Sequence, residues 1–203
     1  MCAMFRSVIV LIAILCLAGC HGNLDSAQAK PQQAVPSPPL TLLDSEGIHR
    51  TPMVVGASKA VVLLFLMHDC PIANTSAPEI SRLVADFTPR GVSFYGVYAT
   101  ETAAEISTHR SDYSLLFPGL RDGRGELARL AGATRVPEAA VFGSGGELLY
   151  RGRIDDRAVK LGVTKPVAHR HDLRLALESV LAGQPPDPRF TTALGCYLPD
   201  VKP

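Results

Sequence analysis

A surplus of charge is the first thing this chain lacks. Its 203 residues carry 20 Lys and Arg against 19 Asp and Glu, which gives no electrostatic footing for nucleic acid, whose binders cluster basic side chains. Internal repeats, heptad runs and paired CxxC motifs at zinc spacing are also missing, which excludes solenoids, coiled coils and zinc modules. Cysteine is sparse, five in all. The place three residues after Cys70, where a disulfide-exchange enzyme would carry a second cysteine, holds Ala73. What is present, 47% hydrophobic residues in a chain of this length, suits one globular domain with a sizeable core.

Long apolar runs are few as well. Arg6 is the only charge before "SVIVLIAILCLAGC", a stretch too short for a comfortable membrane span but shaped like a secretion signal. Its end, Leu17-Ala18-Gly19-Cys20, resembles the bacterial lipobox, with Cys20 as the residue to be lipidated. The expectation is a signal peptide over 1–19 and a lipidated tether over 20–39, Pro-rich and without apolar period. Acylation at Cys20 would anchor the mature chain to a membrane, facing the periplasm or the extracellular side. His21 is not the Asp linked to inner-membrane retention, so an outer-membrane address is favoured. Loss of Cys2 and Cys16 with the signal, and of Cys20 to lipid, leaves Cys70 and Cys196 as thiols in a compartment where disulfides persist.

From 40 to 184 the pattern is that of an α/β domain. "LTLLDSEGIHRTP" reads as a strand, a turn and a return strand, and "AVVLLFLM" (60–67) as a strand buried on both faces. After Cys70, the spacing of Ile80, Leu83, Val84 and Phe87 predicts a helix that stops before Pro89 and Gly91. "VSFYGVYA" predicts a second buried strand, and Thr102 with Glu105 a capping box opening the next helix. "SLLFPGL" reads as a short extended piece and "GELARLAGA" as a short helix. "AAVF" and "ELLYRGRI" flank a "GSGG" turn as a hairpin, and "HDLRLALESVLAG" is an amphipathic last helix. The order is β-β-α-β-α-(β)-α-β-β-α. Residues 185–203 form a Pro-rich tail, expected to be mobile, that contains Cys196.

Cys70 carries the chemistry. It follows a buried strand, and Pro71 suits the first helical position because its missing N–H would be unsatisfied there anyway. The helix N-terminus offers free N–H groups and a positive dipole end, both of which favour thiolate. His68 adds a cation nearby, and Asp69 works the other way. A lone reactive cysteine stays trapped as a mixed disulfide or sulfenic acid until a second thiol resolves it, and Cys196 is the only intramolecular candidate. A redox-active Cys70–Cys196 pair, a permanent structural bridge and an unpaired thiol in the tail look alike in sequence. His109, His169 and His171 are read as solvated surface histidines, with no metal site assigned and no cofactor required. Asp155 and Asp156 suit a turn and a helix cap.

The motifs Asp69-Cys70-Pro71, Asn74, Ala77-Pro78-Glu79, Thr134-Arg135, Pro137-Glu138, Arg151 to Asp156 and Gly195-Cys196 together resemble a bacterial redoxin. The group is the DCPxxN branch of the AhpC/TSA and thioredoxin-like superfamily. The resemblance covers about residues 40 to 198. It implies a thioredoxin-like fold, a central mixed β-sheet flanked by helices. It also implies a cis bond at Val136–Pro137 beside the active cysteine, with Val136, Pro137, Arg135, His68, Asp69, Pro71 and Asn74 around the substrate pocket.

Departures from relatives narrow the activity. Peroxiredoxins carry a Thr and a Pro where this chain has Met67 and Leu63, so the groups that orient a peroxide are missing. Asn74 stands where a Sco-type copper chaperone has its second cysteine. The reading is a membrane-tethered, extracytoplasmic thiol–disulfide oxidoreductase that uses Cys70, Pro137 and Cys196 on a protein thiol or disulfide or a small oxidised substrate. The alternative is a Sco-like copper-handling or partner-binding module without turnover, with Cys70 as a soft ligand.

Overall fold

Strand β3 (Ala60–Phe65) organises the structure, and its composition explains why. All six of its residues are apolar and almost wholly shielded from solvent, so they must be covered from both sides. The computed structural model describes residues 39–54, 56–160 and 162–199. The signal peptide expected over 1–19, Cys20 and all of the expected tether except Pro39 lie outside the described residues. Alternate side chains of β3 point into two separate cores. Val62 and Leu64 meet Ile80, Leu83 and Phe87 of helix α1 (Pro71–Phe87) and Leu173 and Leu177 of helix α4 (Asp172–Leu181). Val61, Leu63 and Phe65 meet Leu127 and Ala131 of helix α3 (Glu126–Ala131) and Leu42. Fully burying a side chain of this size stabilises by about 1.5–3 kcal/mol, so this strand supplies a large part of the folding energy.

The main sheet has five strands in the order β5-β4-β3-β7-β8. β4 (Val92–Tyr98) and β5 (Gly119–Arg121) run parallel to β3, whereas β7 (Glu138–Gly143) and β8 (Leu148–Gly152) form an antiparallel hairpin beside it. This is the mixed sheet flanked by helices that the resemblance implies. The first two strands, β1 (Leu42–Leu43) and β2 (His49–Arg50), pair antiparallel around the foreseen turn. Helix α2 (Ala103–Asp112) opens on the foreseen capping box: Glu105 N–H donates to Thr102 Oγ1 at 3.3 Å, and Thr102 N–H donates to Glu105 Oε2 at 2.7 Å. Helix α3 ends at Gly132, whose φ of 66° is the left-handed conformation that suits glycine.

Three features depart from the sequence reading. A small hairpin, β9 (Ala158–Lys160) with β10 (Val163–Thr164), follows β8, its strands of three and two residues being too short to show a strand period. Two-residue β6 (Arg135–Val136) stands apart from the main sheet. The C-terminal segment, expected to be mobile, is built into the fold. Arg151 N–H donates to Arg189 O and Thr191 N–H to Arg151 O, and Cys196–Tyr197 then forms β11, antiparallel to β6. Three of the tail's prolines, Pro185, Pro186 and Pro188, precede Arg189, and Thr191 and Leu198 after them carry N–H groups that bond back to the domain.

Candidate active site around Cys70

Cys70 is the N-cap of α1, with Pro71 at the first helical position and the backbone extended at φ −85° and ψ 108°. Its side chain makes no cap hydrogen bond. The thiol instead turns toward β6 and donates to the carbonyl of Val136 at 3.5 Å. Sγ therefore sits at the positive end of a seventeen-residue helix and against the backbone that leads into Pro137. The Val136–Pro137 peptide bond is cis, as the resemblance implies. Both residues are buried.

The C-terminal strand completes the cluster. In the β6–β11 register Cys196 lies opposite Val136 and Tyr197 opposite Arg135, so Cys196 is set beside the same residue whose carbonyl accepts from the Cys70 thiol. Both cysteines are free thiols. The Cys196 thiol is pushed up to about 11, by burial first and then by the neighbouring Cys70 and the Asp69 carboxylate. Cys196 therefore keeps its proton at neutral pH. Arg135 does not reach into the cysteine pair: its guanidinium lies 3.6 Å above the Tyr197 ring, where it fixes β11 from outside.

Asn74 and His68 lie toward α2. Asn74 is a bridge: its amide donates to His68 O at 3.0 Å, and its Oδ1 meets Nε2 of His109 at 2.9 Å. His109 Nδ1 in turn meets the Tyr98 hydroxyl at 2.8 Å. Since an amide oxygen only accepts, Nε2 carries the proton and Nδ1 accepts from Tyr98. His68 N–H donates to Glu101 Oε1 at 3.2 Å, and its ring borders a cleft of about 320 Å³ lined by α2. Pro71, His68 and Asp69 are exposed. The loop before Cys70 is thus clamped at His68 on both its N–H and its carbonyl.

His109 corrects the expectation of a solvated histidine. It is 4% exposed, because α2 packs its ring onto β4 and α1. His171 is also engaged, with Nδ1 3.0 Å from Glu79 Oε1, whereas His169 is exposed. Burial, then the charge of His68, lowers the His109 pKa, partly opposed by Glu101 and Asp112. Folding therefore favours the neutral ring, and its contribution to stability is present above about 6.5, the ordinary histidine value, and lost as pH falls toward the folded pKa. Denaturant midpoints measured from pH 7.5 to 5 are expected to fall, and to fall less for His109→Gln; equal slopes would reject this.

Sequence reasoning named Glu138 only as part of a motif, without its task, and missed Glu101. Buried Glu138 accepts the N–H groups of Thr134 and Arg135 on Oε2 at 2.8 and 3.1 Å and faces Arg151 at 3.5 Å, pinning β6 in place. Glu101 was hidden among ordinary helix-start residues. Leu63 is an interior residue of β3, opposite Ala140, so no proline-shaped peroxide loop stands there. Among the described residues no group of three or more His, Cys, Asp or Glu is placed to hold a metal ion. Asp155 binds Arg157 at 2.7 Å. Asp156 accepts from Lys165 and the amides of His169 and Arg170, and the Lys165 bond holds its carboxyl well below the usual range.

Residues 32–151 match the AhpC/TSA family. The chain belongs to that family. Solved structures of similar fold include an uncharacterised conserved protein of Geobacillus kaustophilus, 26% identical over 79% of this chain and 88% of that one, with a TM-score of 0.70. A hypothetical protein of Sinorhizobium meliloti 1021 is 23% identical over 78% of this chain and 89% of that one, also at 0.70. A secreted Mycobacterium tuberculosis disulfide oxidoreductase homologous to DsbE of Escherichia coli is 20% identical over 71% and 96%, at 0.52. The thioredoxin-like fold of this AhpC/TSA member is thereby shown. No curated protein sequence matches it.

Proposed function

We propose that this AhpC/TSA-family protein is a two-cysteine thiol–disulfide oxidoreductase in which Cys70 attacks and Cys196 resolves. The observation that carries the reading is the strand pairing that sets Cys196 opposite Val136, the residue whose carbonyl accepts from the Cys70 thiol at 3.5 Å, with both cysteines free. Cys196, held protonated at neutral pH, suits the second step, which leaves Cys70 at the helix N-terminus for the first. Exchange balances without a cofactor. Cys70 thiolate attacks one sulfur of a disulfide and expels the other as thiolate. Cys196 then loses its proton, attacks the Cys70 sulfur and expels the remaining partner thiolate. The partner disulfide is reduced, the pair is oxidised, and a dithiol runs the cycle backward. Pro137 and Val136 shape the wall against which the sulfur reacts. One structural neighbour is described as a disulfide oxidoreductase, which accords with this reading. The lipobox ending in Cys20 supports a membrane-tethered, extracytoplasmic setting.

The test is direct. Reduced protein is exposed to oxidised glutathione, and peptide mapping should find a Cys70–Cys196 disulfide with two hydrogens lost. Persistent glutathione on Cys70 with no internal disulfide would overturn the assignment of Cys196. In Cys196→Ser the mixed disulfide on Cys70 is expected to accumulate instead.

A further inference from the structure

The exchange proposed above needs the Cys70 sulfur to touch a sulfur from outside, yet Cys70 has no exposed surface at all. What covers it is the chain itself. β11 occupies the edge of β6, with Cys196 opposite Val136, Tyr197 opposite Arg135 and Leu198 N–H donating to Thr134 O at 3.1 Å. An incoming chain that offered a cysteine to Cys70 along this edge would need the same backbone groups. It cannot pair while β11 is in place.

The attachment of this C-terminal segment is uneven. Residues 189–191 are strapped down: besides the two backbone bonds to Arg151, the Thr191 hydroxyl lies 2.8 Å from Tyr150 Oη and accepts from Arg153 N–H at 3.0 Å. Beyond Ala193 the hold is by fewer backbone bonds, with Cys196 and Leu198 packed against the core and Arg135 over the Tyr197 ring. Leu194 and Tyr197 are exposed, Tyr197 by 74%, and β11 is only two residues long. Its fit depends on Gly195, where a Cβ would overlap the Val136 carbonyl and stand 3.2 Å from the Pro137 ring.

We propose that residues 194–198 are a displaceable flap holding a partner's place on the β6 edge, and that the partner is an extended cysteinyl chain with glycine before the cysteine and an aromatic after it. This rests on the thiol–disulfide reading of the site. The partner enters when the flap leaves, Cys70 takes one sulfur of the partner's disulfide and the other departs as thiolate. The returning flap delivers Cys196, which gives up its proton, bonds to Cys70 and expels the partner's remaining thiolate together with the partner. One segment thus guards Cys70, fixes the sequence that can reach it and ends the encounter.

The experiment is run in the Cys196→Ser background, so that it does not depend on the internal disulfide. Alkylation of Cys70 by iodoacetamide, located by peptide mapping of the purified full-length protein, is expected to be slow. Adding Gly195→Val should accelerate it about tenfold or more, as local opening replaces a closed state, with an unchanged thermal transition. A synthetic peptide copying residues 193–198, with serine for the cysteine, should restore protection to the Gly195→Val protein, and the same peptide with valine for the glycine should not. Should Gly195→Val lower the thermal transition, Tyr197→Ala, which removes an exposed ring and the Arg135 stacking that holds β11, makes the comparison, with acceleration expected again. Equal rates with and without the flap substitution, or protection by both peptides, would overturn the proposal. Absence of a Cys70–Cys196 disulfide in the unaltered protein would overturn the resolving role of Cys196 and leave these rates as they are.

Discussion

Replacing Cys70 by serine is expected to abolish disulfide exchange, with a loss of about a thousandfold or more, the scale on which removal of a nucleophile is felt. A hydroxyl is not ionised at neutral pH and cannot form the mixed disulfide, so no part of the cycle survives. The fold should tolerate the change, because a serine hydroxyl can donate to the Val136 carbonyl that the thiol now meets. Reduction of a disulfide substrate by an external dithiol, followed alongside thermal unfolding, separates the two effects. Turnover at the original rate in a folded Cys70→Ser protein would rule Cys70 out as the nucleophile. Cys196→Ser should differ in kind, with a rapid first step and a stalled second one.

Glu138→Ala is expected to cost about 2–4 kcal/mol, because a buried carboxylate is removed from two backbone donors and the loss of a partner exposes the desolvation penalty of each. Those donors are the N–H groups of Thr134 and Arg135, the residues that set the position of β6. The Val136 carbonyl, and with it the seat of both cysteines, should therefore loosen. Exchange is expected to slow along with the loss of stability. Glu138→Gln retains an accepting oxygen and should recover most of both. Urea midpoints and exchange rates for the two variants check this; an Ala variant as stable as the unaltered protein would show that the carboxylate does not hold β6.

The local parts of the site were legible in the sequence because local rules generate them. An uninterrupted apolar run of strand length followed by a polar turn, cysteine and proline reads as a buried strand delivering a side chain to a helix start, and Cys70 is found there. The capping box at Thr102 and the "GSGG" hairpin were legible for the same reason. Asn74 was singled out by its place in a motif, but its task was not visible, since its partner His109 comes from another helix. Charge and polarity suggested a solvated His109, and only packing of α2 on Tyr98 makes it a buried link.

The sequence by itself determined the order of the main-sheet strands and the helices and the mounting of Cys70, and it pointed to Cys196 as the intramolecular candidate for pairing. Only the tertiary structure decided that the two meet. The reason is physical: the pairing of Cys196 with Val136 depends on backbone N–H and C=O groups, which every residue carries alike, and on a close approach that Gly195 permits. Neither leaves a periodic trace in the sequence, so a tail that reads as loose can be the strand that closes the site.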